Sequence, residues 1–160
     1  MCKTCAKNIN FLPGFAQGKI EGTDVYSAFL YEDILKILIQ NYKFKNCLKI
    51  KNVLSGLLLE YFNKSFTAPC APNFVVVPVP SHKKRILKRG YDHINLFAKE
   101  FCAASGLPLR TDILFKIKDT QAHFNLNKNR RAQNIKGSFM VKKENYKGKT
   151  LLILDDIITT

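Results

Sequence analysis

Between Thr150 and Thr160 an apolar run delivers two adjacent carboxylates, Asp155 and Asp156, followed by two more apolar residues and the hydroxyls of Thr159 and Thr160. That order suits a sugar phosphate. Two carboxylates side by side can accept hydrogen bonds from two ribose hydroxyls. Backbone N–H groups and threonine hydroxyls just beyond, at a helix N-terminus, can cradle a phosphate. The plainer alternative is an acidic cap at a strand-to-helix turn.

A second group is cationic. Lys83, Lys84, Arg85, Lys88 and Arg89 lie within seven residues, dense enough to contact the phosphates of a nucleic acid or another polyanion. Of the five cysteines, Cys2 and Cys5 alone stand at metal-ligand spacing. One such pair supplies half of a tetrahedral thiolate set, so zinc would need ligands from elsewhere. Cys47, Cys70 and Cys102 sit among apolar residues and read as small core hydrophobes. An odd number of cysteines argues against a disulfide framework. His82, His93 and His123 show no metal spacing; His82 and His123 read as exposed, and His93 as a possible ligand contact.

These residues need elements to position them. Asp24 to Tyr31 alternates as a strand does. Glu32 to Phe44 reads as a helix with Ile34, Ile37, Leu38 and Tyr42 near one face. In the next segment Ile50, Val53, Leu54, Leu57, Leu58, Tyr61 and Phe62 recur at three- and four-residue steps, which predicts an amphipathic helix. A Pro-containing linker follows. Phe74 to Val79 is a continuous β-branched run, as in a strand buried on both faces. A basic loop then leads into a helix from about Tyr91 to Ser105, closed by Gly106 and Pro108. Asp112 to Ile117 reads as a strand, Lys118 to Lys136 as a long mobile loop, and Gly137 to Val141 and Thr150 to Leu154 as two more strands. The boundaries drawn are a Cys-containing segment at 1–22, a strand and helices at 23–68, and an α/β domain on a largely parallel sheet at 69–160. In such sheets ligands bind beyond the carboxyl ends of the strands, which is where the acid pair falls.

Apolar residues make up 46% of the 160, and 24% are charged, as in a globular protein. No apolar run approaches the roughly 20 residues that span a bilayer. The N-terminus lacks the apolar stretch of a signal peptide, so the cytoplasm is the expected compartment. The formal net charge is +14. Seventeen of the 26 Lys and Arg fall between Lys83 and Lys149, against five Asp and Glu.

Residues 150–160 resemble the phosphoribosyl-pyrophosphate (PRPP) motif of type I phosphoribosyltransferases: four apolar residues, two acids, two apolar residues and Thr-Thr, then Gly-x-Thr. The match runs through Thr160, so the chain is expected to break off inside its phosphate loop. Val76-Val77-Pro78-Val79-Pro80, Lys88-Arg89-Gly90-Tyr91, Thr120-Gln121, Arg130, Asn134, Gly137 and Phe139 narrow the likeness to the ComF family of bacterial competence proteins and the similar GntX proteins. Asp92-His93 departs from the Asn-Gln of that pattern, and Phe124 from its Leu. The family's N-terminal zinc module is represented here by Cys2 and Cys5 alone.

The resemblance implies a phosphoribosyltransferase-like fold with Asp155 and Asp156 on the ribose and Thr159 and Thr160 on the 5-phosphate. PRPP or a similar phosphorylated sugar would bring Mg²⁺ on its pyrophosphate, which Lys128, Arg130 and Arg131 in a flexible loop would neutralise as the sugar C1 gains positive charge. The family role implied is handling of incoming single-stranded DNA with the uptake machinery in natural transformation, with Lys83, Lys84, Arg85, Lys88 and Arg89 on phosphates. Tyr91, Phe115, Phe124 and Phe139 are candidates for base stacking. Two other readings stay open: an active phosphoribosyltransferase moving ribose 5-phosphate to a base, and a GntX-like accessory protein of sugar metabolism.

Overall fold

A computed structural model of the chain describes residues 18–66, 73–120 and 133–158. The first described element is a hairpin, β1 (Gly18–Ile20) and β2 (Thr23–Val25), paired antiparallel. The strand expected over Asp24 to Tyr31 is therefore cut short at Val25. Beyond it Phe29 forms an isolated β-bridge and packs against the core.

Two helices follow, α1 (Asp33–Phe44) and α2 (Ile50–Ser65). In α1 the buried stripe is Leu35, Ile39 and Tyr42, spaced four and three residues apart. Ile37, expected on that face, is exposed. Helix α2 buries Leu54, Ser55, Tyr61 and Phe62, close to the expected stripe.

Strand β3 (Phe74–Pro78) is the run Phe-Val-Val-Val-Pro, with Val76 fully buried. The basic segment after it is a helix, α3 (Lys83–Arg89), where a loop was expected. His82 caps it, accepting at Nδ1 from the Lys84 N–H at 3.3 Å, so His82 is half-buried at a helix start instead of free on the surface. Gly90 ends α3 at φ +87°, a left-handed turn that a side chain would strain. Three residues later α4 (His93–Ser105) begins, capped by Asp92, whose Oδ1 accepts from the Asn95 N–H at 3.4 Å. The expected inner stripe is buried: Ile94, Phe97, Ala98, Phe101 and Cys102. Cys47, read as a core residue, is exposed; Cys70 lies outside the described residues.

Strands β4 (Leu114–Lys116) and β5 (Phe139–Val141) pair antiparallel. The last strand, β6 (Thr150–Leu154), pairs parallel with β3 in the register Phe74↔Thr150 to Pro78↔Leu154. Leu109 adds a parallel bridge to Val76 on the other side of β3. The fold is mixed α/β, with parallel pairing between the two strands that end at the candidate site. Among the described residues no helix is long and apolar enough to cross a membrane.

One core joins the helices on both sides of residues 67–72: Leu35, Ile39, Leu54, Phe62, Val76, Phe97 and Phe101 belong to a single cluster. Helix α2 lies along α4, where the rings of Phe62 and Phe101 meet edge to face at 5.6 Å. Ser55 donates to the Phe97 carbonyl at 3.3 Å, and Lys51 pairs with Glu100. Phe101 has no exposed surface. Replacing it by Ala is expected to cost about 3–5 kcal/mol, the usual loss for an emptied aromatic site. Urea unfolding checks this, and a loss below about 1 kcal/mol would show that the α2–α4 seam does not carry the fold.

Candidate functional site

The register of β3 with β6 decides what meets at the site. Pro78 and Leu154 are partners, and the Val79 N–H donates to the Leu154 carbonyl at 2.9 Å. Both strands therefore finish side by side. The chain leaving β3 turns into the basic helix α3, and the chain leaving β6 delivers Asp155 and Asp156. A basic element and an acid pair thus share the carboxyl end of the parallel pair, where open α/β sheets bind ligands.

The two carboxylates differ. Asp156 is largely buried, and its Oδ2 accepts from Lys43 Nζ at 2.7 Å and lies 3.1 Å from His93 Nε2. Lys43 comes from the last turn of α1 and His93 from the first of α4. Burial alone would raise the Asp156 pKa; the His93 hydrogen bond and the Lys43 charge outweigh it and hold the carboxyl well below the usual range. Asp155 has no cationic partner within hydrogen-bond reach among the described residues. Its Oδ1 accepts from the Asp156 backbone N–H at 2.8 Å. Its side chain still reaches solvent, but desolvation by the surrounding protein, then the Asp156 charge, push its pKa up to about 6.

His93 is one of the few buried polar residues, 5% exposed. Its pKa is lowered, by desolvation first, with the Asp156 hydrogen bond opposing and the Arg89 and Lys43 charges assisting. The ring is therefore neutral at pH 7. Its Nδ1 faces the Arg89 guanidinium, which can only donate. Nδ1 must then be the lone-pair nitrogen, and Nε2 carries the hydrogen given to Asp156. Two tyrosines brace this arrangement: Tyr42 donates to the His93 carbonyl at 2.7 Å, and Tyr91 donates to the Tyr42 carbonyl.

The basic run divides by helix geometry. Arg85 and Arg89, four residues apart on one face, are half-buried, while Lys83, Lys84 and Lys88 are exposed. Arg85 donates to the Thr120 carbonyl and Arg89 reaches His93. Lys84 Nζ lies 4.0 Å from Asp119 Oδ2. Nearby Lys116 sits over the Phe139 ring at 5.2 Å. Its pKa is lowered by burial and then by the Arg85 charge, with Asp155 and Asp119 pulling the other way. Of the candidate stacking rings, Tyr91 and Phe139 are half-buried, while Phe115 is 37% exposed. A groove of about 780 Å³, mostly apolar, includes Asp155 and Asp156 in its lining along with Leu30, Leu58, Leu152 and Ile158.

Several sequence-derived candidates lie outside the described residues: Thr159 and Thr160, the loop cations Lys128, Arg130 and Arg131, the ring of Phe124, and the cysteine pair Cys2 and Cys5. Among the described residues no group of three His, Cys, Asp or Glu side chains converges as a metal site. The sequence pointed to Asp155 and Asp156, and to His93 only as a possible ligand contact. Lys43 was missed, because nothing local separates it from the other lysines of a basic chain. The signal available for His93 was its place beside Asp92 where the family pattern has Asn-Gln.

No family model matches the chain, and no solved structure matches it. Two curated proteins do. Competence protein F of Haemophilus influenzae is 30% identical over 133 residues, 81% of this chain and 58% of that protein. Competence protein ComFC of Bacillus subtilis is 24% identical over 136 residues, 84% of this chain and 52% of that protein. The chain thus spans a little over half the length of the curated relatives it matches.

The contrast between the two acids predicts opposite effects on stability. A carboxyl with a depressed folded pKa stabilises above its unfolded value and loses that contribution as pH falls through the folded one; Asp156 therefore stabilises throughout the neutral range. A raised pKa works the other way, so ionised Asp155 opposes folding above about pH 6. Asp155→Asn is expected to raise the thermal midpoint at pH 7.5 and to change nothing near pH 4. Asp156→Asn should lower it at pH 7.5, reflecting a stability loss of about 1–3 kcal/mol for a lost charge-assisted bond. Thermal melts across pH check both, and equal signs for the two variants would contradict the assignment.

Proposed function

The chain belongs to the ComF family, and we propose from that premise that it binds PRPP or a similar phosphorylated sugar and takes part in DNA uptake during natural transformation. The observation that carries the reading is the acid pair Asp155 and Asp156 at the carboxyl end of β6, beside the end of β3. Adjacent carboxylates there are suited to the two hydroxyls of a ribose, and the neighbouring cations to its phosphates. The strand pair β3–β6, with helices packed on it, would be part of a phosphoribosyltransferase-type sheet. Mg²⁺ belongs to the substrate in this reading, carried on the pyrophosphate.

The DNA part of the reading rests on charge. A net +14 favours polyanions, and neutralised phosphates supply most non-sequence-specific affinity. Lys83, Lys84 and Lys88 form the outward, solvent-exposed face of α3 and would meet a strand on the cytoplasmic side. Arg85 and Arg89 turn inward, so they would serve the sugar-phosphate site instead. Nothing in the chain resembles a base-reading module, and binding should depend little on sequence.

Two measurements test the reading. Calorimetric titration with PRPP and Mg²⁺ should give saturable binding that the double variant Asp155→Asn, Asp156→Asn loses, because amides accept weakly from hydroxyls; undiminished binding would contradict the sugar site. Fluorescence anisotropy with labelled single-stranded DNA should show a steep salt dependence. The triple variant Lys83→Glu, Lys84→Glu, Lys88→Glu should flatten the slope of log K against log salt by about two, at roughly 0.7 per phosphate. An unchanged slope would place the DNA contacts elsewhere, and DNA readily displaced by PRPP would favour a purely enzymatic protein.

A further inference from the structure

The reading of Asp155 and Asp156 as sugar ligands leaves unexplained why one of them is so heavily partnered. Asp156 Oδ2 receives two donors from two separate helices: the Lys43 ammonium at 2.7 Å and the His93 ring at 3.1 Å. Both lone pairs of that oxygen are taken. Asp155 Oδ1 is taken by the Asp156 backbone N–H. Among the described residues, Asp156 Oδ1 and Asp155 Oδ2 receive no N–H or cationic donor, and the two carboxyls lie close enough to interact with each other, so each acid keeps one oxygen open to a hydroxyl. A pair of open acceptors on neighbouring residues matches a vicinal diol.

We propose that Lys43 and His93 are positioning residues of the acid pair: they pin Asp156 by one oxygen and so present one carboxylate oxygen from each acid to the two hydroxyls of a ribose. Arg89 belongs to the same device at one remove. By donating to His93 Nδ1 it stabilises the same tautomer that the Asp156 carboxylate selects, the one with hydrogen on Nε2. The clamp has the rigidity this task needs. His93 is buried, its carbonyl is held by Tyr42, and Tyr42 and Lys43 are neighbours on α1. One helix end thus supplies both a donor to the acid and a brace for the other donor.

The proposal rests on the sugar reading above, and its test separates the two. Three variants are needed: Lys43→Met, His93→Phe, and His93→Gln, whose amide can still donate to Asp156. The first readout uses no ligand. In protein labelled with ¹³C at the aspartate carboxyls, the Asp156 titration midpoint should rise by about one pH unit or more in Lys43→Met and in His93→Phe, given the ~1–3 that a close opposite charge or donor supplies. It should stay near the wild-type value in His93→Gln. The second readout is discrimination between ribose 5-phosphate and 2-deoxyribose 5-phosphate. Wild type should prefer the ribose form by about tenfold, the worth of one charge-assisted hydrogen bond. That ratio should shrink towards one in Lys43→Met and His93→Phe and be kept in His93→Gln.

An Asp156 midpoint that moves in neither Lys43→Met nor His93→Phe overturns the clamp. A midpoint that moves while the ribose preference stays intact overturns the positioning role and leaves the sugar reading standing. A wild type indifferent to the 2-hydroxyl overturns the sugar reading, and the proposal with it, even where the carboxyl titrations behave as described.

Discussion

A carboxylate removed from water must be partnered, and the partnering of Asp156 organises much of this fold. Its donors come from α1 and α4, while Asp156 itself ends β6. Three elements far apart in sequence therefore converge on one oxygen atom. An isolated buried carboxylate would cost several kcal/mol, and the Lys43 and His93 partners more than offset that cost. What the arrangement supplies is geometry. It fixes the end of β6 against two helices that are themselves locked into the core by Tyr42, Phe97 and Phe101.

The neighbouring acid was left without such compensation. Asp155 carries a raised pKa because it is crowded by protein and by Asp156, and among the described residues no cation lies within bonding distance of it. Groups kept in an unfavourable state next to a well-held partner are a common mark of a site awaiting a ligand. The two acids divide the labour: one is anchored and the other is available. The basic helix α3 shows a similar division, with Arg85 and Arg89 turned inward and three lysines turned outward. Its position follows from Gly90, whose left-handed backbone ends α3 and swings the chain so that Arg89 and His93 face each other across the break.

Much of this was legible in the sequence, for reasons that can be named. The β-branched run 74–79 and the apolar run 150–154 are short, continuous stretches without helical periodicity, and both are strands. The stripes of α2 and α4 follow three- and four-residue spacing and are buried much as that spacing requires. Where reading failed, tertiary context decided. In 24–31 alternation does not fix how far a strand runs, and the hairpin ladder ends at Val25. The segment 83–89 was hidden by its charge: five of its residues point cations at solvent or at polar partners, so no apolar stripe marks the helix. In α1 a chain of isoleucines and leucines on every side left the buried face ambiguous. The site shows the same division, since adjacent acids after a strand are a local signal, whereas Lys43 acquires its role only when α1 is folded against β6.

The central claim is that the acid pair, and not the basic helix alone, receives a sugar phosphate. The most direct measurement adds ribose 5-phosphate to protein labelled with ¹³C at its Asp and Glu side-chain carboxyls. The account predicts saturable shifts of the Asp155 and Asp156 resonances, with Asp24, Asp112 and Glu144 unmoved. Saturable binding of ribose 5-phosphate with both acid resonances stationary would contradict it.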